Sequence, residues 1–268
     1  MSAVGDKLEK LRAEGRPALI GYLPAGFPSV EGSTRAIEAM IDGGVDIVEV
    51  GLPYSDPVMD GPTIQDAAER ALEGGFRVRE VFGIVEASVA AGAPTVVMTY
   101  WNPVERFGVE AFAADLAAAG GSGLITPDII PEEAAEWTVA AAKHDLDQIF
   151  LVAPSSTDKR LAMTSDAASG FIYATAVMGV TGQRRQTSSL APALVARVRK
   201  VTDKPVGVGL GVSNGDQAAE VGEFADAVIV GSALVRCLLD APDEAAGLTA
   251  IKTLAADLRA GVERARKA

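Results

Sequence analysis

The sequence predicts a closed (β/α)8 barrel, and three observations predict it. Short apolar runs bounded by Gly, Pro, Asp or Ser recur along the chain, and eight can be counted. Stretches rich in Ala and Glu at helical spacing separate them and tend to end at Gly. The chain has 268 residues, a length that accommodates eight strand–helix units. Apolar runs alternating with helices imply buried parallel strands joined by right-handed crossovers. A doubly wound open sheet is the alternative. It is disfavoured because no Gly-x-Gly-x-x-Gly pattern follows the first apolar run.

Residues 2–13 are charged and amphipathic and form an extra helix before the first strand, placed to cover the N-terminal mouth of a barrel. The strands are expected at residues 18–23, 46–50, 95–100, 123–125, 148–152, 171–174, 206–209 and 227–230. One pattern marks three of them. It reads Gly43-Gly44-Val45-Asp46-Ile47-Val48-Glu49-Val50-Gly51, then Gly120-Gly121-Ser122-Gly123-Leu124-Ile125-Thr126-Pro127-Asp128, then Ala225-Asp226-Ala227-Val228-Ile229-Val230-Gly231-Ser232. No linker, composition break or low-complexity tract interrupts the series, so residues 1–268 are expected to form one barrel domain.

Composition narrows the function. With 49% hydrophobic and 22% charged residues the chain reads as a soluble globule. A formal net charge of -12 argues against nucleic acid or an anionic membrane as partner. It does not argue against a phosphorylated small molecule, because a helix N-terminus binds phosphate locally. The single cysteine, Cys237, excludes an internal disulfide and a multi-cysteine metal site, and it reads as a small buried hydrophobe. The single histidine, His144, lies between Lys143 and Asp145 at an expected surface turn. Histidine-rich zinc sites are excluded and a Ser-His-Asp triad is disfavoured. No signal-peptide core or bilayer-length apolar run is present, so the cytoplasm is the expected compartment.

One acid stands inside an apolar strand. Side chains alternate along a strand, so Ile47, Glu49 and Gly51 share one face and Val48 and Val50 the other. The outer face of a barrel strand packs on helices, which assigns the valines outward and Glu49 inward. Glu49 is also near the C-terminal end of its strand, where barrel active sites are built. An unpaired buried charge is costly, and that placement makes Glu49 a candidate for chemistry. The loop that follows carries Asp56 and Asp60, and the next helix carries Asp66. Asp60 precedes Gly61-Pro62-Thr63, so it reads equally as a helix cap and as a second functional acid. Asp56 and Asp66 read as structural.

Two glycine-rich turns follow the seventh and eighth strands: Gly207-Val208-Gly209-Leu210-Gly211-Val212-Ser213, and Gly231-Ser232-Ala233 opening a helix. Barrels bind phosphate at these positions, and glycine lets backbone N–H groups approach its oxygens; tight turns alone are the other reading. The polar stretch 179–189, after the sixth strand, reads as a lid or as an irregular connection. Tyr100 and Tyr173 end the third and sixth strands and either flank a flat ligand or fill the core.

The run Glu49-Val50-Gly51-Leu52-Pro53-Tyr54-Ser55-Asp56-Pro57-Val58-Met59-Asp60-Gly61-Pro62-Thr63-Ile64-Gln65 resembles the signature of the tryptophan synthase alpha chain family. The resemblance covers nearly the whole chain. Gly21-Tyr22-Leu23-Pro24-Ala25-Gly26-Phe27-Pro28 resembles the family's first-strand segment, and Thr99-Tyr100-Trp101-Asn102-Pro103, Pro127-Asp128, Ala153-Pro154-Ser155-Ser156-Thr157, Gly179-Val180-Thr181-Gly182 and Gly209-Leu210-Gly211-Val212-Ser213 fall in the family's order. It implies a lyase that splits indole-3-glycerol phosphate into indole and D-glyceraldehyde 3-phosphate, in L-tryptophan biosynthesis. It assigns catalysis to Glu49 and Asp60, phosphate binding to Gly182, Gly211, Gly231 and Ser232, and the indole pocket to Tyr22, Tyr100 and Tyr173, with Thr181 in the lid. It implies a pyridoxal-phosphate beta chain as partner in an αββα heterotetramer, and no cofactor or metal in this chain. Family members often carry Phe where Tyr22 and Leu210 stand, and a serine is common in the stretch that here reads Ala174-Thr175-Ala176-Val177-Met178.

The chemistry the resemblance implies suits a single carboxyl. Indole is a poor leaving carbanion, but protonation at C3 lets it depart neutral. An acid that has donated one proton is ready to accept the carbinol proton. Burial would keep Glu49 partly in its acid form. Asp60 beside the indole N–H would stabilise the developing positive charge. A sugar-phosphate isomerase would share the phosphate site, as would indole-glycerol phosphate synthase, although the strands lack the lysine expected of the latter. A glycosidase would use two carboxylates without needing that site. A non-catalytic subunit that activates a partner is the reading from a different class.

Overall fold

In a computed structural model that describes residues 2–175 and 190–265, the chain closes a parallel barrel of eight strands in sequential order. The elements run α1 (Ala3–Ala13), β1 (Ala18–Pro24), α2 (Val30–Asp42), β2 (Ile47–Gly51), α3 (Pro62–Glu73), α4 (Glu80–Ala90), β3 (Thr95–Met98), α5 (Trp101–Phe107), α6 (Val109–Ala118) and β4 (Gly123–Thr126). They continue as α7 (Ala135–Lys143), β5 (Asp147–Val152), α8 (Asp158–Ala167), β6 (Ile172–Thr175), α9 (Leu190–Val198), β7 (Val206–Gly209), α10 (Gly215–Gly222), β8 (Ala227–Val230), α11 (Ser232–Leu239) and α12 (Glu244–Arg264). All eight expected strands are present. The third is shorter than expected: it ends at Met98. Tyr100 instead caps α5, whose opening Trp101-Asn102-Pro103 turns the chain out of the sheet.

The core divides into two layers, as period-two strands require. Ile20, Ile47, Val96, Ile125, Ile149, Phe171 and Ile229 fill the barrel interior, and Val4, Leu8 and Leu11 of α1 pack against them from below. The added helix therefore closes the N-terminal mouth. Val48, Val50, Val97, Leu124, Phe150, Val208 and Val228 belong instead to the shell between strands and helices, with Phe112, Trp137, Leu234 and Leu258. With its lower half plugged, the barrel is open to chemistry only at the C-terminal ends of its strands.

A buried ion cluster ties α1, β1 and α12 to the floor. Asp46, immediately before β2, accepts a bidentate pair from Arg16 at 2.7 and 2.9 Å, a third bond from Arg259 at 3.0 Å and the Leu19 N–H at 2.9 Å. Arg16 and Asp46 are both buried. Asp46→Ala leaves a buried guanidinium and an amide without their acceptor. It is expected to destabilise the fold by about 3 kcal/mol or more, read as a lowered denaturant midpoint; an unchanged midpoint would show that the cluster contributes nothing.

The two singletons occupy quiet positions. His144 caps the C-terminus of α7 and lies 2.9 Å from Glu110. Cys237 is half-buried in α11, less enclosed than its apolar neighbours suggest, with Sγ donating to the Ala233 carbonyl. Among the described residues, no helix is long and apolar enough to cross a membrane.

Candidate active site

The site is built where β1, β2, β3 and β6 emerge. Glu49 is the inward residue one step above Ile47 and is only 1% exposed. Its Oε2 is buried and has no hydrogen-bond partner among the described residues. Loss of solvent, reinforced by the negative charge of Asp60, pushes its carboxyl up to about 8. Near neutral pH the side chain is therefore mainly a carboxylic acid, in the state from which a proton can be given.

Asp60 lies in the loop between β2 and α3. The cap reading is resolved by geometry: Gly61, not Asp60, occupies the cap position of α3, and Pro62 opens the helix. The Asp60 carboxyl does not cap this helix and is engaged instead by Tyr100. Burial raises it above its ordinary range, while hydrogen bonding from Tyr100 pulls it back toward the ionised form. The two surroundings thus differ: every cause acting on Glu49 raises it, whereas Asp60 also has a hydrogen bond that favours its ionised form.

Tyr100 organises this loop. Its hydroxyl accepts the Met59 N–H at 3.0 Å, and its ring lies 5.2 Å from that of Tyr54. Asn102 donates to the Tyr54 hydroxyl at 3.3 Å. Asp128, after β4, accepts the Trp101 N–H at 2.9 Å and so anchors the start of α5 directly beside Tyr100. Asp128 was legible only as part of a Pro-Asp pair after a strand; its task was not. The other loop acids are structural as expected, Asp66 pairing with Arg70 and Asp56 accepting the Ser55 hydroxyl.

Tyr22 and Tyr173 line the same chamber. Tyr22 is the direct register partner of Glu49 across the β1–β2 ladder. A side chain at Gly51 would collide with it, since a Cβ there would lie 2.2 Å from the Tyr22 hydroxyl. Tyr173 stands above Phe171 on the inward face of β6, and a Cβ at Gly209 would lie 2.8 Å from its hydroxyl. Burial raises both phenols well above their ordinary value, and the Glu49 charge adds to this. Gly51 and Gly209 are thus the notches that admit two aromatic rings.

The expected phosphate residues sit on adjacent strand ends. β7 and β8 are neighbours in the barrel. Gly211 follows β7 with φ +70°, a left-handed conformation that favours glycine. Gly231 precedes α11 and Ser232 is its first residue, so the free N–H groups of that helix open at this edge. A Cβ at Gly231 would lie 3.3 Å from Tyr22 Cδ1, which sets this edge directly against the aromatic chamber. Gly182 and Thr181 lie outside the described residues, as does the stretch 179–189.

A plugged (β/α)8 barrel with two unlike carboxyls at its open end defines the class: a barrel enzyme with an acidic site above its core. The comparisons narrow this further. The family model for the tryptophan synthase alpha chain matches residues 8–263. A tryptophan synthase alpha chain of Salinispora arenicola is 63% identical over 262 residues, covering 98% of each chain. One from Acidothermus cellulolyticus is 60% identical over 264 residues, again covering 98% of each. A structure of Mycobacterium tuberculosis tryptophan synthase superposes with a TM-score of 0.93 at 56% identity, covering 100% of this chain and 99% of that one. The chain belongs to the tryptophan synthase alpha chain family. It is a carbon–carbon lyase that cleaves indole-3-glycerol phosphate to indole and D-glyceraldehyde 3-phosphate.

Proposed function

We propose that Glu49 is the proton donor and acceptor of this cleavage and that Asp60 stabilises the charge it creates. The observation that carries the reading is the Glu49 carboxyl, sealed in the barrel and raised to about 8. In its acid form Glu49 gives a proton to indole C3, and the ring becomes a cation. The bond from C3 to the carbinol carbon then breaks, and its electron pair returns to the ring to leave neutral indole. The carbinol O–H releases its proton to the Glu49 carboxylate as its electrons form the aldehyde C=O. One proton has moved from oxygen to carbon, and Glu49 ends as it began. Asp60, as carboxylate, faces the indole N–H, where positive charge is greatest in the transition state.

Gly211, Gly231 and Ser232 hold the phosphate with backbone amides and the helix N-terminus, and Gly182 joins them from the stretch 179–189. Tyr22, Tyr100 and Tyr173 enclose the indole, with Thr181 beside Asp60. Residues 1–268 act as one barrel unit in the cytoplasm. The partner is a beta chain in an αββα assembly; it holds pyridoxal phosphate and consumes the indole, and the proton transfers assigned to this chain use its own side chains. The exposed side chain of Val58, in the loop that bears Asp60, lies on the face such a partner would cover.

The test is indole release by the purified chain, alone and with a beta chain. Release by the chain alone, accelerated by the partner, is expected. Equal rates in both conditions would remove the coupling between partner and loop, and absence of release in both would remove the catalytic reading.

A further inference from the structure

The Tyr22 hydroxyl has no task in the reading above. The ring alone suffices to flank an indole, and a phenylalanine would supply it. The hydroxyl is nevertheless placed with care. Tyr22 follows Ala18 and Ile20 on the inward face of β1 and sits opposite Glu49 in register. Its ring starts beside Gly231, whose Cβ position is 3.3 Å from Cδ1, at the edge assigned to phosphate. It ends over Gly51, whose Cβ position is 2.2 Å from the hydroxyl, two residues beyond Glu49 on the same face of β2. The side chain therefore spans the interval between the phosphate edge and the proton donor.

That interval has a chemical meaning. In the substrate, the segment between phosphate and indole is a three-carbon arm carrying hydroxyl groups. Among the described residues the buried Glu49 Oε2 has no hydrogen-bond partner, and Tyr22, opposite it in register, is only half-buried and so accessible to a ligand at the open end of the barrel. The unpartnered Glu49 oxygen marks this as a place that a polar ligand group completes, and an accessible Tyr22 hydroxyl can exchange water for that same group. We propose that the Tyr22 hydroxyl binds a hydroxyl of the substrate's glycerol arm and selects for hydroxylated arms over bare alkyl ones. This rests on the assignment of Glu49 and of the Gly231 edge made above. The phenol is neutral across the working pH range, because burial and the two nearby carboxyls disfavour its ionisation. It is thus available as both donor and acceptor.

Tyr22→Phe keeps the ring and removes one oxygen. The test compares this variant with the parent in complex with the beta chain, using two ligands. One is indole-3-glycerol phosphate. The other is an indole joined to phosphate by a propyl arm without hydroxyls, measured as an inhibitor. The variant is expected to lose roughly fivefold in kcat/KM for the substrate while binding the propyl analogue as the parent does. Equal loss for both ligands would assign Tyr22 to ring packing and overturn the proposal, as would no loss for either. The underlying assignment is checked separately with Glu49→Gln. An active Glu49→Gln enzyme overturns that assignment, whereas an inactive one with no ligand discrimination at Tyr22 overturns the present proposal alone.

Discussion

Glu49→Gln is expected to lower turnover by about a thousandfold or more while leaving substrate affinity nearly unchanged. The amide preserves the volume and the inward placement of the side chain. It has no proton to give to indole C3 and cannot take one from the carbinol. Because the interaction lost is made at the reacting atoms, the effect falls on kcat and spares KM. The same substitution carries a second signature, on stability. The carboxyl rises from an ordinary value of 4.5 to about 8 on folding. Below the ordinary value it is protonated in both folded and unfolded chains and contributes no pH dependence. Between the two values the unfolded chain releases a proton that the fold retains, so stability falls as pH rises. Above about 8 the folded chain carries the full cost of a buried charge. Glutamine has no such term. The variant should therefore gain stability relative to the parent as pH rises from 4.5 toward 8, by a few kcal/mol at the alkaline end. Urea melts at several pH values check this. Parallel pH profiles for parent and variant would mean the carboxyl is not buried in the way described, and near-normal turnover would end its catalytic role.

The same residue shows how much of the site was legible in the sequence. Glu49 declared itself because an acid in a run of Ile and Val breaks the strand pattern, and the period of two then fixes which way it points. The strands were legible for the same reason, since each is a short apolar run punctuated by Gly, Asp or Pro. The end of β3 was not. Tyr100 continues the apolar run, and only Trp101-Asn102-Pro103 signals a helix start at that point. Asp60 was ambiguous because its spacing to Pro62 suits a cap as well as a site. What decided it was the backbone of Gly61, a property of three-dimensional geometry. The roles of Asp128, Tyr54 and Asn102 were illegible, because they depend on contacts between loops after different strands. Barrel closure, not local sequence, brings those loops together. Gly51 reads as an inward strand position and Gly209 as part of a glycine-rich turn, and their use as notches for Tyr22 and Tyr173 appears only when the rings are in place.

Asp60→Asn is expected to reduce kcat by about a hundredfold, with a smaller effect on KM. The carboxylate matters most when the indole carries positive charge, which occurs on the way to bond cleavage and not in the bound substrate. An amide oxygen can still accept the indole N–H but offers a dipole in place of a charge. The pH profile separates this role from others. In the parent enzyme, activity should fall in acid as Asp60 becomes protonated, and that limb should lie above the ordinary carboxyl value of 3.8 because burial raises the group. It should fall again in alkali as Glu49, raised to about 8, loses its proton. In Asp60→Asn the acid limb should disappear while the alkaline limb remains. The alkaline limb should also move down, since the Asp60 charge is one of the two causes that raise Glu49. Folding stability should change little, because the amide oxygen of asparagine can still accept the hydrogen bond from Tyr100 and the cap position of α3 is held by Gly61. A variant that kept its activity and both limbs but lost thermal stability would return Asp60 to a structural role and leave Glu49 to act without a charged neighbour.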